Sequence, residues 1–406
     1  MKMKKSICNL VLVLVFLVVG VLFGCNSSEK STFKELSNVT FPSYDKKNVY
    51  LKESNYINES YQKLVEKLYE DGKNMVYSPT SLYFALSMLA EGTQGNSYDE
   101  LMSFLQVSDL EELRNINKTL YNNNYYNNKG GQANISNSIW FDKDMNINKD
   151  YVKTLEENYY ASSFQIDFNN DKDIEHIIDW LNKSTNKFLK LDKDNYKLNL
   201  ATQMVLLNTI YFKNNWEIEF DKKDNKKQTF NGYNGSEIGE FMTHTVRSSY
   251  YKDEDYELFC DRFANNNMIY YILPSEGRNV RDYLGTDFLN EKMERVELCV
   301  SLPKFKFKQT HSLTESLKEI GIKSVFIEET SKIATSNIVS NIEQIAGIEF
   351  SEKGVEAAAV TTIENEPTSI EPLRMVKVML NRPFIYYIVD NSKTILFSGV
   401  VNQLAE

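Results

Sequence analysis

The sequence predicts an α+β fold organised around a large sheet, and three observations carry that prediction. Asn55–Asp71 places Tyr61, Leu64, Val65 and Leu68 at helical spacing. Met204–Phe212 (MVLLNTIYF) is an apolar run rich in branched and aromatic residues, as in a buried strand. Lys353–Pro372 (KGVEAAAVTTIENEPTSIEP) alternates instead. Glu356, Glu364 and Glu366 fall on even positions, and Val355, Ala357, Ala359, Thr361 and Ile363 on odd ones. As a strand it would be charged on one side and small or apolar on the other. Yet Glu, Asn and Pro crowd its C-terminal half, as in an exposed loop. It reads as a loop that can also become a strand. A plain surface loop, or a short helix through Glu356–Val360, fits the same residues.

The elements follow in order. Met1–Lys5 is basic and Leu10–Phe23 almost wholly apolar, a secretory signal pattern too short for a spanning helix. This divides the chain into a signal peptide (1–24), a polar tether (25–44) and one large domain (45–406). After the first helix, Asn74–Ser81 leads into a small-residue helix over Leu82–Ala90. Ser78 or Ser81 is its expected cap, with Pro79 near the first turn. Gly92–Asn96 is a turn and Tyr98–Leu105 a helix. Tyr121–Gly131 (YNNNYYNNKGG) is polar and low in complexity, and reads as a loop. Ile135–Phe141 and Phe164–Phe168 are predicted strands; Asp150–Asn158 and Asp173–Leu189 are predicted helices. Gly239–Thr243, Met268–Pro274 and Val296–Phe305 read as strands, and Leu313–Gly321 as a helix ending at a glycine cap. Asn381–Ile388 and Thr394–Val401 complete a C-terminal hairpin.

Composition narrows the function. The 406 residues are 42 % hydrophobic, enough for a sizeable core, and carry a net charge of −10. With the three leader lysines removed the charge is −13, which argues against nucleic acid and heparin-like polyanions as partners. His176, His244 and His311 stand far apart, in no metal-ligand spacing, and no cofactor is expected. There is no G-x-S-x-G elbow, H-E-x-x-H or P-loop, so no catalytic residue is nominated and the chain does not read as an enzyme. Cys8 lies in the leader; Cys260 and Cys299 are two buried thiols or a pair.

Several motifs occur in a fixed order. They are Asn74-Met75-Val76-Tyr77-Ser78-Pro79-Thr80-Ser81, then Leu207-Asn208-Thr209-Ile210-Tyr211-Phe212 continuing through Trp216 to Phe220, then Phe350-Ser351-Glu352-Lys353-Gly354-Val355-Glu356-Ala357-Ala358-Ala359, and finally Asn381-Arg382-Pro383-Phe384. Across Tyr50–Asn402 the chain resembles the serpins. That resemblance implies three β-sheets, eight or nine helices and an exposed reactive-centre loop. It assigns Ser78 and Ser81 to the shutter, where strands part, and Trp216 to the breach at the top of the sheet. Asn208, a polar residue in an apolar run, must find a partner. Glu352, Gly354, Val355, Glu356, Ala357, Ala358 and Ala359 form the hinge of a loop that a protease cuts and that then enters the sheet. Two departures stand out. Gln344-Ile345-Ala346 replaces a frequent His-Lys-Ala, and Asn214 replaces a frequent glycine.

The resemblance further implies inhibition of serine proteases by covalent trapping. Fourteen residues beyond Gly354 the scissile bond is Thr368–Ser369, suited to an elastase-like or subtilisin-like enzyme. Arg374–Met375 is a rival bond for a trypsin-like enzyme, and papain-like cysteine proteases are further candidate targets. A monomer is expected. A non-inhibitory serpin-fold binding protein, or a mere protease substrate, is the alternative. A solute-binding lipoprotein accounts only for the leader. Leu22-Phe23-Gly24-Cys25 resembles a bacterial lipobox, which implies diacylglyceryl attachment to Cys25 and an extracytoplasmic, membrane-anchored protein. Ordinary signal cleavage, giving a secreted one, stays open.

Overall fold

A computed structural model describes residues 30–43, 49–192, 202–327, 330, 332–334, 339–355 and 373–405. Thr32–Glu406 forms one compact unit. Its first sheet contains β1 (Lys34–Glu35), β3 (Tyr126–Asn128), β4 (Gly131–Asp142), β5 (Ala161–Ile166), β6 (Met204–Asn215), β12 (Phe305–Ser312), β13 (Asn341–Ser351) and β14 (Gly354–Val355). They run in the order β1-β5-β4-β6-β14-β13-β12, with β3 on β4. The second sheet contains β2 (Met75–Tyr77), β7 (Lys226–Gly232), β8 (Gly235–Lys252), β9 (Tyr256–Arg262), β10 (Met268–Pro274), β11 (Glu294–Pro303), β15 (Met375–Met379), β16 (Phe384–Val389) and β17 (Ile395–Val401). Their order is β15-β11-β8-β9-β10-β16-β17-β2, with β7 on β8.

The architecture is α+β, as expected, but the three expected sheets are hydrogen-bonded into two among the described residues. The cause is β8. Its 18 residues pair with β7 and β11 along most of their length and with β9 at the C-terminal end, so one strand serves two sets of partners.

Seven α-helices lie among the described residues: α1 (Ser54–Leu68), α2 (Pro79–Glu91), α3 (Gly95–Leu105), α4 (Leu110–Asn124), α5 (Lys149–Tyr159), α6 (Asp171–Ser184) and α7 (Thr314–Glu319). All 13 residues of α2 are buried, because it packs against β6 of one sheet and β17 of the other. Small and apolar residues around its whole circumference make that possible. Ser78 is its N-cap, accepting from the Ser81 amide at 3.1 Å, and Pro79 takes the first helical position. Beyond α7, Gly321 adopts a left-handed φ of 106°, the glycine stop the sequence indicated.

Three readings are corrected. The supposed loop Tyr121–Gly131 holds the last turn of α4 and the β3–β4 hairpin. Asn123 and Asn124, at the end of the helix, are buried. Asn123 donates to the Val49 carbonyl at 2.6 Å and Asn124 to Asp390 at 3.1 Å, while Tyr121 stacks on Tyr125. The helix predicted to reach Leu189 stops at Ser184, and Asn186, Lys187 and Lys190 take left-handed φ of 49–61°. This segment turns over the first sheet and brings the Phe188 ring against Gly347, where a Cβ would lie 2.6 Å from it. The tether also ends earlier than expected. Thr32 donates its amide and hydroxyl to the buried Asp173, and Lys34–Glu35 adds an edge strand antiparallel to β5. Cys260 is buried, Cys299 is partly buried, and both are free thiols.

The two sheets are joined through β2. Gln309 on β12 accepts the Val76 amide at 3.0 Å, and the buried His311 ring donates through Nε2 to the Val76 carbonyl at 2.8 Å. Burial lowers the pKa of His311 against a smaller opposing pull from that hydrogen bond. The folded state therefore resists protonation while the unfolded chain binds a proton near pH about 6.5, so stability is lost as the pH falls below that value. The melting temperature should fall between pH 7.5 and 5.5, and should fall less in His311→Gln, as read by circular dichroism.

Candidate functional site

The residues assigned to the shutter and breach come together along the seam between β6 and β13. These two strands are parallel and hydrogen-bond over only four rungs, from Asn341 opposite Val205 to Gln344 opposite Asn208. Beyond Asn208 they diverge. At the far end of the opening the two-residue strand β14 fills the space, antiparallel to both neighbours. Gly354 faces Asn215 and Ser351, and Val355 faces Asn214 and Phe350. Between these points Thr209–Lys213 and Ile345–Glu349 have no ladder partner on the seam side among the described residues.

The turn that feeds β14 is held through three successive carbonyls. Ser351 O accepts Trp216 Nε1 at 2.9 Å, Glu352 O accepts the Phe220 amide at 2.9 Å, and Lys353 O accepts the Trp216 amide at 3.0 Å. Trp216 is fixed in turn by stacking on Phe263 at 4.9 Å and by edge contact with Phe220 at 5.6 Å. The Glu352 carboxylate accepts from Asn225 at 2.7 Å and Lys304 at 3.0 Å, and Lys304 also pairs with Glu240 at 3.2 Å. Burial works to raise the Glu352 pKa. Its own backbone amide, Lys304 and Asn225 together outweigh that and hold it below the usual range. Gly354 is required by space: a Cβ there would stand 2.0 Å from the Asn214 carbonyl oxygen. Asn214 fits because its side-chain oxygen, which accepts from Tyr126 at 2.8 Å, faces Gly131, another position with no room for a Cβ.

A buried amide network lies at the last rung of the β6–β13 ladder. Gln344 Oε1 accepts the Ser78 amide at 2.8 Å and its Nε2 donates to the Ser78 carbonyl at 2.8 Å. Ser78 Oγ donates to Leu396 O at 2.6 Å. Ser81 donates to Asn208, Asn208 donates to Asn137, and Asn137 donates to the Tyr159 carbonyl at 2.7 Å. The network thus connects α2, β4, β6 and β13. The departure at Gln344 is accommodated: a planar amide offers the donor and acceptor that the Ser78 peptide requires.

Ser78, Ser81, Asn208, Trp216, Glu352, Gly354 and Val355 are therefore assembled on one seam. Cys25, Glu356, Ala357, Ala358, Ala359, Thr368 and Ser369 lie outside the described residues. Arg374 and Met375 stand apart, on the other sheet. The Arg374 carbonyl accepts the Glu297 amide at 3.0 Å, its guanidinium pairs with Glu294 and lies 5.7 Å from the Tyr250 ring centre, and Met375 opens β15 opposite Glu297. Sequence reasoning missed Asn137, Asn225, Lys304 and the aromatic bed of Trp216. Lys304 follows Pro303 at the end of a recognised strand, but nothing local marks its partners.

A protein-family model described as serpin (serine protease inhibitor) matches residues 53–404. Iripin-5 of Ixodes ricinus is 30 % identical over 360 residues, covering 82 % of this chain and 89 % of that one. A serpin-like protein of Methanosarcina acetivorans is 25 % identical over 84 % of this chain and 85 % of its own. Among solved structures, the thermophilic serpin tengpin in its native state superposes with a TM-score of 0.80 at 26 % identity, covering 92 % of this chain and all of that one. Thyroxine-binding globulin complexed with thyroxine superposes at 0.75 with 22 % identity, covering 87 % and 98 %.

Removing Asn208 leaves Ser81 and Asn137 buried without their shared partner, a cost of about 2–6 kcal/mol for two such groups. Asn208→Ala should lower the melting temperature by several degrees in a calorimetric scan. Glu352→Lys replaces a bonded carboxylate with a second ammonium beside Lys304. The native form should convert on warming to polymers or an inserted form, visible on native gels, far below the wild-type transition.

Proposed function

Because the chain belongs to the serpin family, whose members are in general protease inhibitors and not catalysts, we propose that it is a suicide-substrate inhibitor of serine proteases. The observation that carries this reading is the seam: a stretch of sheet unpaired among the described residues, with a two-residue strand already seated at one end. In the β14 register, residue 354+k stands opposite residue 215−k. Glu356–Val360 would therefore fill the open section beside Thr209–Lys213. Going further requires parting the four rungs that Gln344 and Asn208 close. Val355 is buried, so on entering as a strand Ala357 and Ala359 would share its inward face and Glu356 would point outward.

The energetics are adequate. About ten new backbone hydrogen bonds, at roughly 1 kcal/mol net each, give on the order of 10 kcal/mol. Misplacing one oxyanion-hole donor slows a protease by roughly 10²–10³. A fraction of the insertion energy, spent as distortion, stalls deacylation.

The geometry of Arg374 favours Thr368–Ser369 as the bond cut. A protease must bind its substrate as an isolated extended segment, whereas Arg374–Met375 is already hydrogen-bonded to β11. Cleavage there would also leave about 20 Å of slack, from six added residues. Thr368 suits an elastase-like or subtilisin-like enzyme. The lipobox resemblance at Cys25 supports an extracytoplasmic protein anchored to the cell membrane through lipid.

Incubation with elastase-, subtilisin-, trypsin- and papain-like enzymes should give an SDS-resistant complex with at least one of the first two, releasing a peptide that begins at Ser369. Loop cleavage should raise the melting temperature by tens of degrees. If the cleaved chain melts where the intact one does, the loop does not insert and the protein is a substrate or binder.

A further inference from the structure

The segment Glu217–Phe220 follows β6 and belongs to no helix or strand. Its Phe220 amide nevertheless holds the Glu352 carbonyl of the hinge turn at 2.9 Å. The Glu217 amide donates to Arg262 O at 2.8 Å, and the Phe220 ring meets the edge of Trp216. Two further holds come from one buried side chain. His244 Nδ1 lies 3.0 Å from the Ile218 carbonyl oxygen, and the His244 ring stacks on Phe220 with centroids 3.6 Å apart. At its other edge, His244 Nε2 lies 2.9 Å from Asp261 Oδ2, and the two side chains are 5 % and 7 % exposed.

His244 stands where β8 and β9 part. Their ladder covers Tyr250–Lys252 opposite Glu257–Phe259. Beyond it, side chains cross the gap: Ser248 Oγ donates to the Cys260 carbonyl, and His244 meets Asp261. The ring is therefore set by β9 at one edge and sets the Glu217–Phe220 segment at the other.

The chemistry of imidazole gives this arrangement two states. Both edges of the ring face acceptors, a carboxylate oxygen and a carbonyl oxygen. The ring donates to both when both nitrogens carry a proton. With one proton it keeps the bond to the carboxylate, the stronger acceptor, and turns a bare lone pair toward Ile218 O. The second proton restores the bond to the segment, and the positive ring it creates stacks more strongly on Phe220. We infer that His244, set by Asp261, is a positioning residue for the hinge. Its second proton locks Glu217–Phe220 in place and, through the Phe220 amide, holds the turn that seats β14.

Other ionisable groups surround the pair. Asp261 Oδ1 accepts the Arg262 amide at 2.7 Å, and the half-exposed Arg262 pairs with Glu217 at 3.6 Å. Glu219 belongs to the held segment, and Glu352, whose carbonyl Phe220 holds, carries Lys304. β11 sets the uncharged Val300 opposite His244. On β10, burial and the field of Asp261 keep Tyr271 well above the ordinary tyrosine range. Among these side chains, imidazole is the one that ordinarily titrates between about pH 5 and 8. For inhibition, the inference rests on the trapping reading above: a locked segment keeps Gly354–Val355 in register for entry, and a loosened one sends more of the chain down the substrate route.

The test is hydrogen exchange, read by mass spectrometry on a peptide covering Trp216–Phe220 in the intact protein. It runs from about pH 5.5 to about pH 8.5, across the range in which imidazole gains its second proton. Protection is taken relative to the denatured chain at the same pH. It should fall about fivefold to tenfold as the pH rises, which is the worth of one hydrogen bond. His244→Phe keeps a flat ring and loses both N–H groups, so it should show the low protection at every pH. Asp261→Asn keeps an acceptor and removes its charge, so the fall should move to lower pH. A residue that merely packs would not give that shift, and the shift is readable even where His244→Phe fails to fold. Protection that is flat with pH in the unaltered chain, or a profile that Asp261→Asn leaves in place, overturns the inference. Incubation with a subtilisin-type protease separates it from the trapping reading. At the acid end the unaltered chain should give several-fold more SDS-resistant complex per cleaved molecule than His244→Phe, and at the alkaline end the two should agree. Absence of complex at every pH overturns trapping and the part His244 plays in it, while the exchange profile still decides the positioning.

Discussion

The incomplete pairing of β6 with β13 is the constraint on which the rest of the molecule depends. Strands buried on both faces normally complete their ladders, because a buried peptide group without a partner is costly. Here the ladder stops at Gln344 and Asn208 and resumes only with two residues of β14. Among the described residues, Thr209–Lys213 and Ile345–Glu349 therefore keep unmet hydrogen-bonding capacity in the middle of the first sheet. Any segment able to supply it gains energy by entering, and the segment nearest at hand continues directly from Val355.

Two opposed devices act on that seam. The three held carbonyls of Ser351, Glu352 and Lys353, the first and last bound by Trp216 and the second by Phe220, keep the entering end in register. The amide network of Ser78, Ser81, Asn137, Asn208 and Gln344 keeps the other end shut. The first is an anchor and the second a closure. Both depend on hydrogen bonds between specific partners, the first backed by the packing of Trp216 on Phe263 and Phe220. Phe188, lying over Gly347, covers the opening between them.

Much of this was legible in the sequence, for identifiable reasons. Asn208 drew notice as a polar residue in an apolar run, and the serines before α2 as caps. The alternation that begins at Val355 reads as a strand, and Gly354–Val355 is one. What stayed hidden was the other half of each interaction. Asn137 is 71 positions from Asn208 and Gln344 is 266 from Ser78, and no local pattern links such pairs. The Tyr121–Gly131 stretch misled because asparagine-rich segments are usually solvated, whereas here Asn123 and Asn124 are buried and bonded to Val49 and Asp390. β13 could have been found: Ile342, Gln344, Ala346, Ile348 and Phe350 are all buried and all on even positions.

The close approach of Gly354 to the Asn214 backbone has a consequence for how such a molecule can diversify. Every replacement of that glycine adds a Cβ and collides with a main-chain atom that cannot move aside. In the proposed inhibitor the bond offered to a protease lies fourteen residues away in sequence, so a lineage could change which enzyme takes the bait without touching this glycine.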